Sequence, residues 1–179
     1  MVDKYKHILM GIVLALFPSV LSAQRISAEE FFQHINYEQS KIDNYRQGNN
    51  DAKSFLDMDN AIQTACRHED PQAYLDYIVI RFNRISCNMN FAAAKIAAEI
   101  AKYIANNQYN VDISSVVIQE GIDKYNTLTE FFLETANEWL KNYQDGLRKY
   151  IASYGNPDIE YLRLDDKFMK LYGVEPSVR

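Results

Sequence analysis

The chain has 179 residues, 47% of them hydrophobic and 24% charged, with a formal net charge of −5. That balance excludes the disordered, collagen-like and low-complexity classes. Six glycines and four prolines supply little turn material for a sandwich or barrel, so an all-α array of long helices is expected.

Residues 1–23 read as a secretory signal peptide: Lys4 and Lys6 form the basic start, Ile8 to Val20 the apolar stretch, and Leu21-Ser22-Ala23 a small-residue cleavage site. The apolar stretch is shorter than the roughly 20 residues a spanning helix needs. Cleavage after Ala23 would place the protein in the periplasm or outside the cell. Losing Lys4, Lys6 and Asp3 takes Lys+Arg from 19 to 17 and Asp+Glu from 24 to 23, a net charge of −6. No basic run appears, so nucleic acid is not an expected partner. Residues 24–179 are long enough for one domain with its own core.

Ser27-Ala28-Glu29-Glu30 reads as a capping box. Phe31, Ile35, Ile42 and Tyr45 then fall on one helical face, until Gly48 offers a left-handed stop. A second helix is expected over 51–68 from the spacing of Phe55, Met58, Ile62, Ala65 and Cys66. Asp70-Pro71, an aspartate cap before a proline at the first helical position, opens a third helix over 71–86 with Tyr74, Ile78, Phe82 and Ile85 inward. The β-branched and aromatic run Tyr77 to Phe82 also fits a strand.

Phe91 to Ala105 reads as the central helix, since only Lys95, Glu99 and Lys102 interrupt its alanines and isoleucines. Its alanines let neighbours approach closely. A polar loop over 106–112 precedes a helix from Ile113. Running that helix on to Ser153 would give about forty residues, far beyond the usual helix. The capping-box sequence Thr127-Leu128-Thr129-Glu130 therefore marks a break near Tyr125. The following helix carries Leu128, Phe132, Thr135, Trp139, Tyr143, Leu147, Tyr150 and Tyr154 at helical spacing. Asn156-Pro157 opens a last helix with Tyr161, Leu164, Phe168 and Leu171 inward and Gly173 as its stop. The expected architecture is thus an orthogonal or bundle-like array of six to seven helices.

Two cysteines in an exported chain predict a disulfide between Cys66 and Cys87. The helix map opposes it: an unbroken third helix carries Cys87 about 24 Å from the turn near Cys66, whereas a bridge needs Cα atoms within about 7 Å. Either the third helix breaks near Asn83 to Ser86, or it folds back, or the thiols are free.

Candidate chemistry is sparse. Only His34 and His68 remain after signal removal, and neither follows a Glu by three residues, as a di-iron bundle requires. Glu30 and His34 stand one turn apart but make only half a metal site. His68 lies two positions from Cys66, a spacing that points the two apart on a helix. Asp165-Asp166, Glu29-Glu30 and Asp57-Asp59 are the carboxylate pairs a hydrolase would draw on, with nothing in the sequence to put them in an apolar pocket. Gly-rich phosphate loops, Gly-x-Ser-x-Gly elbows and haem motifs are missing, so no cofactor, metal or catalytic residue is expected.

Twelve tyrosines outside the leader are the one compositional excess. Tyr74, Tyr143 and Tyr150 fall on core stripes, while Tyr37, Tyr109 and Tyr125 lie near expected caps or loops and suit an interface. The sequence thus predicts an exported, non-enzymatic binding protein of the immunity or inhibitor type, occluding a basic toxin or cell-wall hydrolase. A carboxylate-dependent hydrolase and a small-ligand or lipid carrier are the alternatives.

Overall fold

A computed structural model describes residues 25–178, apart from the side chains of residues 58–60. The expected leader over 1–23 and its expected cleavage site lie outside the described residues. Among the described residues five α-helices follow one another: α1 (Ala28–Lys53), α2 (Met58–Ala65), α3 (Pro71–Asn107), α4 (Ser115–Tyr154) and α5 (Ile159–Leu171), with a 3-10 turn, Ser54–Leu56, between α1 and α2. The all-α expectation holds, but the count is five rather than six to seven, because two expected breaks are absent. No helix among the described residues is long and apolar enough to cross a membrane.

α1 starts where the capping box places it. The Glu30 N–H donates to Ser27 Oγ and the Ser27 N–H donates to Glu30 Oε2, both at 3.1 Å. The helix does not stop at Gly48, which lies buried inside it. A Cβ there would sit 2.7 Å from Tyr172 Cγ and 2.9 Å from Met89 Cε. This glycine provides a close approach for two neighbouring side chains, not a terminus. Residues 51–53, expected to open the second helix, therefore complete α1.

α3 runs 37 residues, capped by the Asp70 carboxylate accepting from the Ala73 N–H at 3.0 Å. The strand reading of Tyr77 to Phe82 fails, and the expected third and central helices are one. Polar residues between them suggested a boundary, yet every residue from Asn83 to Asn90 is buried. Asn88 and Asn90 each donate from Nδ2 to the carbonyl four residues back, Arg84 O at 3.0 Å and Ser86 O at 2.7 Å. The helix satisfies its own asparagines and continues through the centre of the molecule.

That continuity settles the cysteines. Cys87 is buried inside α3 while Cys66 is exposed just beyond α2, and both are free thiols. The expected disulfide does not form, because the break it required is absent.

α4 spans 40 residues from its Ser114 cap to Gly155, whose φ of 84° and ψ of −166° end it. The Thr127 box does not interrupt it: Thr129 Oγ1 donates to Tyr125 O at 2.7 Å, the bond of a residue inside a helix. Helices of this length hold because they lie antiparallel and support each other. Tyr77 faces Tyr150, Phe82 faces Trp139 with ring centroids 5.2 Å apart, and Ile104 packs at Gly121. α1 runs antiparallel along the C-terminal half of α3, where Phe31 stacks on Tyr103 at 5.5 Å. The main core lies among α1, α3 and α4; a second cluster of Ala73, Tyr77, Ile80, Tyr143 and Tyr150 lies under α5.

α5 begins two residues after the expected proline, on an Asp158 cap that accepts from the Glu160 N–H at 2.9 Å. Gly173 ends it as expected, with φ 80° and the paired bonds Gly173 N–H to Lys170 O and Val174 N–H to Met169 O. Its inward face differs from the expected one. Leu164 and Leu171 are exposed, and Asp165 and Met169 are buried in their place.

Candidate functional site

The buried side of α5 meets a row of polar residues on α3. Tyr77, Arg81, Arg84 and Asn88 recur at spacings of four, three and four, so they share one face of α3. Arg84 is 1% exposed and Asp165 is fully buried. Asp165 Oδ1 lies 2.5 Å from Arg81 Nε, off the hydrogen-bond axis, and Asp165 Oδ2 accepts from the Tyr77 hydroxyl at 3.0 Å. Arg84 donates through Nη2 to Asp166 Oδ1 at 2.5 Å, through Nε to Val178 O at 3.0 Å and through Nη1 to Leu162 O at 3.4 Å. Asn88 Oδ1 accepts from the backbone N–H groups of Ser177 and Val178 at 2.7 and 3.0 Å.

Two guanidinium groups face two carboxylates, so the cluster is balanced in charge, and its hydrogen bonds fasten α5 and the segment after it to α3. Burial pushes the Asp165 carboxyl above its ordinary range, while Arg81, the Tyr77 hydroxyl and Arg84 pull the other way. Burial, then the adjacent Asp165, raise the Tyr77 hydroxyl well above the usual phenol value, which keeps its proton in place. Asp165 and Asp166, singled out as an adjacent acid pair, therefore share Arg84, and Asp165 alone also faces Arg81.

The other residues marked by the sequence scatter. Glu30 is engaged in the α1 cap, and His34 lies against Tyr103 with ring centroids 4.0 Å apart. His68 stacks on Tyr74 at 3.8 Å, and its Nδ1 is 3.0 Å from the Tyr161 hydroxyl. No group of three His, Cys, Asp or Glu side chains able to hold a metal occurs among the described residues. Burial pushes the Cys87 thiol up to about 11. Of the tyrosines expected near caps or loops, Tyr37 and Tyr109 are exposed and Tyr125 is buried, because the break that would have freed it is absent.

The outward side of α4 carries a feature the sequence reading passed over. Phe131 is 58% exposed although its ring meets the buried Phe132 ring edge-on at 5.5 Å. Glu130 precedes it, and Glu134 and Glu138 follow three and seven positions on, along the same helix face. All three glutamates are exposed, and none makes an ion pair or hydrogen bond among the described residues. An aromatic residue on the solvent side of so periodic a helix was the available signal; Phe131 was hidden beside its core neighbour Phe132. Comparison with protein-family models, curated proteins and solved structures finds no match to this chain.

Proposed function

We propose that the chain is an exported, non-enzymatic binding protein whose α4 face docks a basic protein partner, in the manner of an inhibitor or immunity protein. The observation that carries this reading is Phe131, exposed amid three glutamates with no partner of their own. Aromatic side chains are frequent anchors of binding energy because they bury a large area at small entropic cost. The surrounding carboxylates raise the rate of encounter with a positively charged surface and disfavour acidic competitors. The net charge of −5 for the whole chain has the same sign. Occlusion of a basic cleft by α4 follows from this chemistry: the ring enters an apolar pocket and the glutamates pair with lysines or arginines at its rim.

Capture from an envelope extract by the wild type and by Phe131→Ala tests the reading. One stoichiometric basic protein is expected on the wild type and is expected to be depleted at least tenfold on the variant, a loss of about 1.4 kcal/mol or more of binding free energy. A partner retained equally by both proteins contradicts the reading.

A further inference from the structure

Away from α4, Arg81 stands between two recesses beside α3, one toward α5 and one toward α2. One, of about 150 Å³, is walled by His68, Tyr74, Tyr77, Tyr161 and Leu164, with Asp165 and Arg81 also in its lining. The other, of about 280 Å³, is bordered by Ser54, Phe55, Ala61, Thr64 and Ile78 and shares Tyr74 and Arg81 with the first. Arg81 is fixed at both ends of its guanidinium group: Nε lies 2.5 Å from Asp165 Oδ1, and the group sits 4.2 Å over the centre of the Phe55 ring. Its two terminal nitrogens make no hydrogen bond among the described residues. Those nitrogens are unused donors held in a preorganised fork.

The hydrogen-bonding inventory decides which ligand fits. Asp165 Oδ2 already accepts from Tyr77, and Oδ1, which makes no hydrogen bond, lies buried 2.5 Å from Arg81 Nε. With Arg81 and Arg84 both beside this carboxylate, an amine or other cation would meet their repulsion. Donors are in surplus instead: the Arg81 terminal N–H groups, and the Tyr74 hydroxyl, which has no hydrogen-bond partner among the described residues. The charge of Asp165 is met by Arg84, 3.9 Å from Oδ2, as well as by Arg81. The walls are aromatic. The smaller recess has the volume of cavities that accept a single benzene ring.

We propose that these recesses form a binding site for a small organic carboxylate with a ring-sized apolar body, its carboxylate held by the terminal nitrogens of Arg81 and its ring beside Tyr74 and Tyr161. A planar carboxylate matches the guanidinium fork in two parallel hydrogen bonds. The site does not depend on the α4 face, and neither proposal stands or falls with the other.

The test is calorimetric titration of the protein with benzoate, benzyl alcohol and benzylamine, which share a ring and differ in the polar group. Benzoate is expected to saturate one site, with benzyl alcohol and benzylamine at least about tenfold weaker. Arg81→Lys keeps the charge but loses the fork, and is expected to weaken benzoate about tenfold with circular dichroism unchanged. Should Arg81→Lys fail to fold, Tyr74→Phe removes only a hydroxyl and is expected to weaken benzoate severalfold. No saturable benzoate binding, equal binding of the alcohol or amine, or binding unchanged in the folded variants would overturn the proposal.

Discussion

The Tyr77 hydroxyl donates a 3.0 Å hydrogen bond to Asp165 Oδ2 across 88 positions of sequence, joining the start of α3 to the buried face of α5. Arg84, about two turns further along α3, carries the same attachment to Asp166 and to the backbone at Leu162 and Val178. Removing a donor from such a cluster is costlier than its hydrogen bond alone, because the buried acceptor is left without water. Tyr77→Phe is expected to destabilise the fold by about 1–3 kcal/mol. Arg84→Ala, which strips a buried charge from four contacts, is expected to cost about 3–5 kcal/mol. Urea midpoints read both, with the larger fall in the arginine variant; the reverse order would contradict the role given to Arg84.

Gly48 offers a separate test of packing. A methyl group there would sit 2.7 Å from Tyr172 Cγ and 2.9 Å from Met89 Cε. Alanine normally favours a helix interior over glycine, but here the overlap should dominate, at about 1–3 kcal/mol of destabilisation. Had Gly48 been the helix stop its sequence context suggests, the alanine would not meet these neighbours. A gain in thermal midpoint in Gly48→Ala would contradict the close approach.

Alkaline pH acts through the buried phenols. Burial raises the Tyr45, Tyr77, Tyr125, Tyr143 and Tyr150 hydroxyls above their ordinary 10.0, and Tyr77 is raised further by Asp165. The folded chain therefore keeps protons that the unfolded chain releases. Their contribution is intact below about pH 10 and is lost as pH rises through the folded values. Cys87, raised from 9.0 to about 11, adds a loss of the same sign that begins lower. Denaturation midpoints are expected to fall steeply between about pH 9 and pH 12, with tyrosinate absorbance appearing together with unfolding. A flat midpoint across that range would contradict the burial of these groups.

The two thiols should separate cleanly. Cys66 is exposed and Cys87 lies buried in α3 with its thiol proton held to about 11. Since the thiolate is the reactive form, a thiol reagent near neutral pH is expected to label Cys66 in the native protein and Cys87 only after denaturation. Two equivalent native labels, or none before reduction, would contradict the free-thiol assignment.

Capping chemistry made the helix starts at Ser27 and Asp70 legible in the sequence, and Gly173 made the last stop so, because each depends on a few neighbouring residues. The interruptions were misread where tertiary contacts override local signals. Gly48 passes inside α1 because two side chains close over it, Thr127 caps no new helix but lies inside α4, where Thr129 bonds back to Tyr125, and Asn88 and Asn90 satisfy their own side chains inside α3. Asp165 was visible only as half of an acidic pair. Its burial in place of Leu164 follows from arginines some 80 residues earlier, a pairing that periodicity within α5 does not contain. Phe131 falls off the apolar stripe of α4 already in the sequence, where its core neighbour Phe132 masks it, and its degree of exposure depends on how α4 packs.

Docking through α4 depends on charge as much as on the Phe131 ring, and capture of an envelope partner by wild type and by Glu134→Lys/Glu138→Lys, at low and at moderate salt, tests that dependence. These glutamates are exposed and without partners among the described residues, so their reversal leaves the core untouched. One basic partner is expected, weakened on the wild type as salt rises and absent from the charge-reversed protein at both salt levels. A partner held equally by both proteins and indifferent to salt would contradict it.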